Sequence, residues 1–150
     1  MTGGPSLKTR ALGYLARREH SRLELERKLA PHAQDPAELS AMLDALEQHG
    51  FLSAQRMVEQ VVHVRRNKFG SQRIVYELRE KGIAEDLIAA ALPELKETEL
   101  DAAREVWRRK FRALPANATE RGRQMRFLLG RGFAPEVIRE VLLYSYKEEA

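Results

Sequence analysis

The chain of 150 residues contains no cysteine and only four histidines. The absence of cysteine excludes disulfide bonds and thiolate metal sites. No histidine is paired with a carboxylate or a second histidine at a metal-ligand spacing on one helix face. No apolar run approaches the roughly 18–20 residues that a membrane-spanning helix needs. The first ten residues lack the apolar core of a signal peptide, so we expect a cytoplasmic protein that does not bind membranes.

The usual sequence motifs of catalysis are also missing. No glycine-rich loop follows a strand, as phosphate binding by backbone amides would require. No serine has the sequence context of a nucleophile elbow. His20, His32 and His49 fall at predicted helix ends, where a solvated or capping role is the simplest interpretation. We therefore predict a protein that is not an enzyme and has no catalytic residue, cofactor or metal.

Apolar residues recur at spacings of three and four along almost the whole chain, which is typical of amphipathic helices. Ser21 and Glu24 form a predicted capping box, and Asp35 before Pro36 predicts a second helix start. Gly50 is predicted to end a helix by adopting a positive φ angle. The pattern predicts nine helices and no strand. The sixth is expected to stop at Pro93, and the seventh to run from residue 98 to residue 113.

An internal repeat organises these helices. A shift of 49 residues places Leu25 on Ile74, and a shift of 50 places Leu78 on Leu128. A repeat of this length with three helices per unit is typical of stacked helical arrays. We predict an all-α fold of three tandem, helix-turn-helix-like repeats in an elongated, curved array. The expected units are 7–52, 53–95 and 96–146, the last with a longer first helix and connector.

The positive charge of the chain is unevenly distributed. The net charge is +4, yet residues 104–131 contain nine basic residues against two acidic ones. Such an excess attracts polyanions or acidic protein surfaces. Two basic clusters supply the candidate partner- or DNA-binding residues, which are Arg65, Arg66, Lys68, Arg73, Arg104, Arg108, Arg109, Arg112, Arg121, Arg123, Arg126 and Arg131.

The spacing within the second cluster suggests a linear binding surface. Arg104, Arg108 and Arg112 stand four residues apart, which predicts a stripe on one helix face. The alternative is a solvated face whose arginine stems cover apolar surface. Trp107 and Phe111 are interpreted as core residues rather than as platforms for stacked bases.

Several motifs occur in an order that resembles the RecX family, whose members restrain the bacterial RecA recombinase. They are Ala11–Leu25 (ALGYLARREHSRLEL) followed by Lys28-Leu29, then Gly50-Phe51-Leu52, Glu77–Ile83 (ELREKGI) and Arg126–Phe133 (RFLLGRGF). The resemblance extends over roughly residues 7–145. It agrees with the repeat of three-helix units found independently above.

The resemblance implies a function as well as a fold. It implies a protein that lies in the groove of the RecA–DNA filament and inhibits RecA ATP hydrolysis, strand exchange and co-protease activity. Homologous recombination, DNA repair and the SOS response would thereby be negatively regulated. The expected partners are the RecA filament and, weakly and non-specifically, single- or double-stranded DNA. We expect a monomer, because no long heptad seam is present. The alternative is a helical module that acts directly on DNA.

Overall fold

The computed structural model describes residues 4–149 and, of these, the side chains of residues 4–143. The described residues form eight α-helices, one short 3₁₀ helix at Ala30–His32 and no strand. The all-helical prediction is therefore confirmed. The α-helices are α1 (Leu7–Arg17), α2 (Arg22–Leu29), α3 (Pro36–Gln48), α4 (Ala54–Arg65), α5 (Ser71–Glu80), α6 (Glu85–Lys110), α7 (Ala118–Gly130) and α8 (Pro135–Glu149). None of these described helices is both long enough and apolar enough to cross a membrane.

Local signals account for most of the helix ends. The Ser21 hydroxyl accepts a hydrogen bond from the Glu24 amide, and the Glu24 carboxylate accepts one from the Ser21 amide, so the predicted capping box is confirmed. Asp35 caps α3 by accepting from the Ala37 amide at 2.9 Å. Glycines with positive φ follow α3, α5 and α7, at Gly50, Gly82 and Gly132.

The prediction that a helix stops at Pro93 is wrong, because α6 continues through this residue for a total of 26 residues. Proline removes one helical hydrogen bond, which leaves the carbonyl of Ala89 without its usual donor. Ala89 and Pro93 are both exposed, so water can satisfy that carbonyl. On the opposite face α6 buries Leu95 and Val106 in two different cores. The burial of both ends of α6 thus outweighs the hydrogen bond lost at Pro93. The predicted sixth and seventh helices therefore form one continuous helix.

The helices enclose three separate hydrophobic cores. Unit one consists of α1–α3 and packs around residues such as Leu25 and Leu43. Unit two combines α4, α5 and the first half of α6 around Ile74. Unit three combines the second half of α6 with α7 and α8 around Phe133. The predicted boundary between units two and three, at residues 95–96, lies inside α6 and does not coincide with a break between helices. It stays a prediction about the repeat.

Units two and three meet through direct backbone contact between two turns. The Gly70 amide donates to the Arg131 carbonyl at 2.7 Å, and the Gln72 amide donates to the Gly132 carbonyl at 3.1 Å. A Cβ atom on Gly70 would lie only 2.3 Å from the Gly132 carbonyl oxygen. The close approach therefore requires glycine at position 70.

The repeat explains how the first turn of α5 is capped without a side chain at Gly70. The equivalent position in unit one is Ser21, which caps α2 itself. In unit two the cap comes from α6, where the Glu99 carboxylate accepts from both the amide and the hydroxyl of Ser71. Glu99 is 7% exposed and also pairs with Arg66 at 2.9 Å. One buried carboxylate thus joins the end of α4 to the start of α5.

Units one and two dock through the corresponding elements. The start of α2 packs on the turn after α5, where a Cβ on Gly82 would lie 2.9 Å from Leu23 Cδ2. The start of α5 meets the turn after α7 at the equivalent positions of the repeat, although there the contact is between backbones. The unit-to-unit contact therefore repeats along the chain together with the units.

We predict that Gly70→Ala destabilises the protein by roughly 2–4 kcal/mol, because the new methyl group forces apart two backbones that hydrogen-bond to each other. The measurement is the free energy of unfolding from urea titration followed by circular dichroism. The matched control is Gly13→Ala in α1, where a Cβ meets nothing within 4 Å. It should stabilise the protein by about 0.5–1 kcal/mol through helix propensity. Equal effects of the two substitutions would contradict the proposed contact.

Candidate functional site

A basic groove of about 370 Å³ lies where units two and three meet. We call it the second-junction groove. Three segments line it: the turn after α4, the end of α6 and the end of α7. They contribute Asn67 and Lys68, Arg109 and Lys110, and Phe127 and Arg131, respectively. The groove therefore brings together residues from both basic clusters predicted from the sequence.

Aromatic rings hold the cations around this groove. The Arg131 guanidinium lies 5.1 Å from the centroid of Phe127 and 5.5 Å from that of Phe69. Within unit two, the Arg73 guanidinium lies 4.5 Å from the centroid of the Phe69 ring. Within unit three, Lys110 Nζ lies 5.5 Å from the centroid of the Phe127 ring. Such cation–π contacts orient a charged group without neutralising it.

Two hydrogen bonds fix arginines across the junction. Arg109 of α6 donates to the Asn67 carbonyl at 3.1 Å, and Arg73 of α5 donates to the Gly130 carbonyl at 3.1 Å. Each bond links unit two to unit three. The positions of these two guanidinium groups are thus coupled to the docking of the units.

The charge of the groove is largely uncompensated. Arg109 Nε has one carboxylate nearby, that of Glu105, at 4.0 Å. Among the described side chains, no carboxylate oxygen lies within 4.0 Å of the terminal nitrogens of Lys68, Lys110 or Arg131. The groove therefore presents a concentrated positive potential to an external anion.

Two of the predicted binding residues have partners elsewhere in the fold. The Arg66 guanidinium is mostly buried and binds Glu99 and the Leu95 carbonyl, so we assign it to the fold rather than to the groove. Arg65 pairs with Glu77 at 2.8 Å and lies outside the second-junction groove.

The predicted stripe of three arginines on α6 is wrong. The helix ends at Lys110, because Phe111 turns into an extended conformation and packs edge-on against Phe127, with ring centroids 5.4 Å apart. Arg112 consequently lies beyond the helix. Arg104 is partly buried and lies 3.8 Å from Asp101, and Arg108 pairs with Glu105 at 2.8 Å.

The remaining predicted cations are on α7. Arg121, Arg123 and Arg126 are exposed there, but they are not among the residues that line the groove. Trp107 packs against the core of unit three and donates to Gln124 at 2.8 Å, so its interpretation as a core residue is confirmed.

The aromatic residues of the groove were not identified from the sequence. Phe69 and Arg73 stand four residues apart, as do Phe127 and Arg131, and in both pairs the cation stacks on the ring. This spacing brings Phe127 and Arg131 together at the end of α7, whereas Phe69 lies in the turn just before α5. The repeated Phe-x-x-x-Arg pattern is the signal that could have located the groove.

A second groove, of about 310 Å³, lies at the corresponding place between units one and two. We call it the first-junction groove. Its cations are paired within the protein: Arg18 with Glu24 at 2.8 Å, Lys81 with Glu24 at 3.4 Å, and Arg65 with Glu77 at 2.8 Å. Burial favours the neutral form of Glu24, but the hydrogen bonds from Arg18 and the Ser21 amide and the charge of Lys81 outweigh it. They lower the pKa of Glu24 to about 2.

His20 is buried near the first junction, so the solvated role is wrong, while its bond to the carbonyl of Arg18, the C-cap residue of α1, agrees with the alternative of a capping role. It is 1% exposed, donates through Nδ1 to the Arg18 carbonyl and accepts from Lys28 Nζ at Nε2, 2.9 Å away. Burial lowers the pKa of His20, and the neighbouring charges of Arg18 and Lys28 act in the same direction. The imidazole is thus a neutral structural group.

A larger groove, of about 700 Å³, lies between α5, α6 and the start of α8. Its walls are largely apolar and include Ala89, Leu92 and Val137. It lacks the convergent cations of the second-junction groove, which is therefore the better candidate for specific recognition.

The fold and the groove together define a class of protein, a tandem array of three-helix units with a basic groove at a junction between units. Comparison with known proteins identifies the family. Residues 55–92 match the family profile described as RecX, second three-helix domain, and residues 97–142 match RecX, third three-helix domain.

Full-length relatives support the same assignment. The chain is 58% identical to the regulatory protein RecX of Leptothrix cholodnii, over 91% of this chain and 87% of the relative. It is 49% identical to that of Herbaspirillum seropedicae, over 96% and 94%. The chain therefore belongs to the RecX family, whose members carry the name of a regulatory protein.

Solved structures share the fold. The crystal structure of RecX from Lactobacillus salivarius aligns with a TM-score of 0.80, covering 94% of this chain and 95% of that one at 18% identity. A second crystal structure of regulatory protein RecX aligns with a TM-score of 0.77 over 90% of this chain and 70% of that one, at 21% identity.

The first junction generates a prediction about pH. Folding favours the ionised form of the Glu24 side chain over the protonated form. The resulting stabilisation is fully present above the ordinary glutamate pKa of 4.5 and is lost as the pH falls towards about 2, the pKa of Glu24 in the folded protein. The free energy of unfolding should fall over this range at up to about 1.4 kcal/mol per pH unit from this group. Glu24→Gln should remove that part of the pH dependence, measured by urea unfolding at successive pH values. Glu80→Gln on the exposed end of α5 is the control and should keep the wild-type slope. A wild-type slope for Glu24→Gln would refute the assignment.

Proposed function

We propose that this protein binds RecA–DNA filaments and inhibits RecA. The proposal is carried by one observation. The two units that match RecX domains are also the two units that form the second-junction groove. Inhibition of ATP hydrolysis, strand exchange and co-protease activity would follow from occupation of the filament groove. The protein would then act in the cytoplasm as a negative regulator of recombination and of the SOS response.

The physical properties of the molecule suit such a role. Units two and three are joined through backbone hydrogen bonds and one shared helix, and units one and two through side-chain contacts. The three units form a scaffold that can span more than one site on a repeating partner. A groove lined by Lys68, Arg109 and Arg131 complements acidic groups on a protein or the phosphates of DNA. Direct contacts to DNA would be weak and salt-sensitive, since they come from charge alone. We propose a monomer as the active form.

A second candidate function is a module that acts directly on DNA. The cluster of cations, which has only the distant Glu105 carboxylate beside Arg109 among the described side chains, favours it, because such a cluster attracts any polyanion. Against it, the arginines do not concentrate at the start of one helix, as they do in a helix that reads bases in the major groove. Of the exposed arginines, Arg108 lies near the end of α6 and Arg121 near the start of α7.

The test is a titration of the protein against preformed RecA filaments while DNA-dependent ATP hydrolysis is measured. We expect inhibition well below one molecule per RecA subunit, because a bound molecule affects neighbouring subunits of a cooperative filament. The control is an unrelated DNA-dependent ATPase on the same DNA, which should be unaffected. Equal inhibition of both enzymes would indicate sequestration of DNA and favour the second candidate. No inhibition of RecA at any ratio would refute the proposed function.

A further inference from the structure

The grooves at the two junctions are built from equivalent positions of the repeat. Each is formed by the end of the first helix of one unit and by the first and second helices of the next. The shift of 49 residues relates the lining residues of the first helices, and the shift of 50 relates those of the second helices. The matched pairs are Met57 and Val106, Gln60 and Arg109, Val61 and Lys110, and Lys81 and Arg131.

The two grooves differ in their internal acids. In the first junction the carboxylates of Glu24 and Glu77 neutralise the surrounding cations. The shift of 49 places Arg73 at the position of Glu24, and the shift of 50 places Phe127 at that of Glu77. Both acids are therefore absent from the second junction, while the cation at the position of Lys81 is retained as Arg131. Of the other cations, Arg18 and Arg65 are replaced by Asn67 and Leu114, and Arg109 and Lys110 stand where the first junction has Gln60 and Val61.

We propose that the second-junction groove binds the carboxylates of an acidic segment of a partner protein. In the first junction, Glu24 and Glu77 of the protein itself compensate the cations. In the second junction, Arg73 and Phe127 stand at the positions of these acids, and the cations are left to pair with carboxylates supplied by another molecule. The identity of the partner as a RecA filament rests on the proposed function, whereas the chemistry of the groove does not.

Two further features favour protein carboxylates over a nucleic-acid backbone. The phosphates of DNA form a row, which a linear stripe of cations follows best. Here the cations converge on one groove instead, since Arg112 leaves the helix and Lys68 approaches from another unit. The Phe127 ring also supplies an apolar surface beside the charges, on which the methylene groups of a glutamate side chain can pack.

The experiment measures binding of a fluorescein-labelled hexaglutamate peptide to the full chain by fluorescence anisotropy at low ionic strength. We expect saturable binding that Arg109→Gln/Lys110→Gln weakens about tenfold, because two cations of the groove are removed. Both residues are exposed, so the helical circular dichroism should not change. Lys68→Gln, in the turn outside the helices, provides a second variant and should weaken binding in the same direction.

The matched control is Arg17→Gln/Arg27→Gln, which removes the same charge from exposed positions of unit one. Its affinity for the peptide should equal that of the wild type. Equal weakening by the two double variants would mean that net charge alone binds the peptide, and would overturn the assignment of the groove. Absence of peptide binding would overturn the assignment. If the protein in addition binds an oligothymidylate, and Arg109→Gln/Lys110→Gln weakens that binding, the groove is a nucleic-acid site instead.

The peptide-binding assay and the RecA assay test different claims, so the groove assignment and the proposed function can fail independently. A protein that inhibits RecA but does not bind hexaglutamate would contradict the groove assignment and leave the regulatory function standing. A protein that binds the peptide at the groove without affecting RecA would contradict the function and support the groove as a site for another acidic partner.

Discussion

The buried carboxylate of Glu99 organises the Arg66–Ser71 turn, through which unit two meets unit three. It pairs with Arg66 at the end of α4 and accepts hydrogen bonds from Ser71 at the start of α5. Breaking a buried pair of this kind by removing one partner typically costs about 3–5 kcal/mol, because the other charge is left without compensation. Since Glu99 belongs to the same long helix as Arg109, it couples the core of unit two to the groove. The Arg66–Ser71 turn that it holds carries both Lys68 and Gly70.

A groove assembled in this way holds its cations in fixed positions. The guanidinium of Arg131 rests on two rings, and that of Arg109 is tied to a carbonyl of the neighbouring unit. Binding to fixed cations avoids much of the conformational entropy that free arginine side chains would lose. The first junction shows the contrasting solution, in which Glu24 and Glu77 compensate the cations internally and the Glu24–Lys81 pair links units one and two.

Sequence reasoning succeeded where local physics decides the structure. The capping box at Ser21 and the positive φ of Gly50 depend on a few neighbouring residues, and both were predicted correctly. It failed where tertiary contacts override local preference: Pro93 lies inside a helix that two cores hold in place, and Phe111 leaves the helix to meet Phe127. The burial of Arg66 could likewise not be predicted from the sequence, because its partner Glu99 is 33 residues away in the chain.

The most direct test of this account is hydrogen–deuterium exchange of the Glu99→Gln variant, which keeps the shape of the side chain and removes its charge. The amides of Gly70, Ser71 and Gln72 bond to Glu99 or to carbonyls of unit three, so we expect their exchange to accelerate. The amides of α2 in unit one should be unchanged, and so should those of a Glu97→Gln control at an exposed position of α6. Unaltered exchange at residues 70–72 in Glu99→Gln, together with wild-type affinity of the groove for an acidic peptide, would contradict the claim that this carboxylate holds the junction in place.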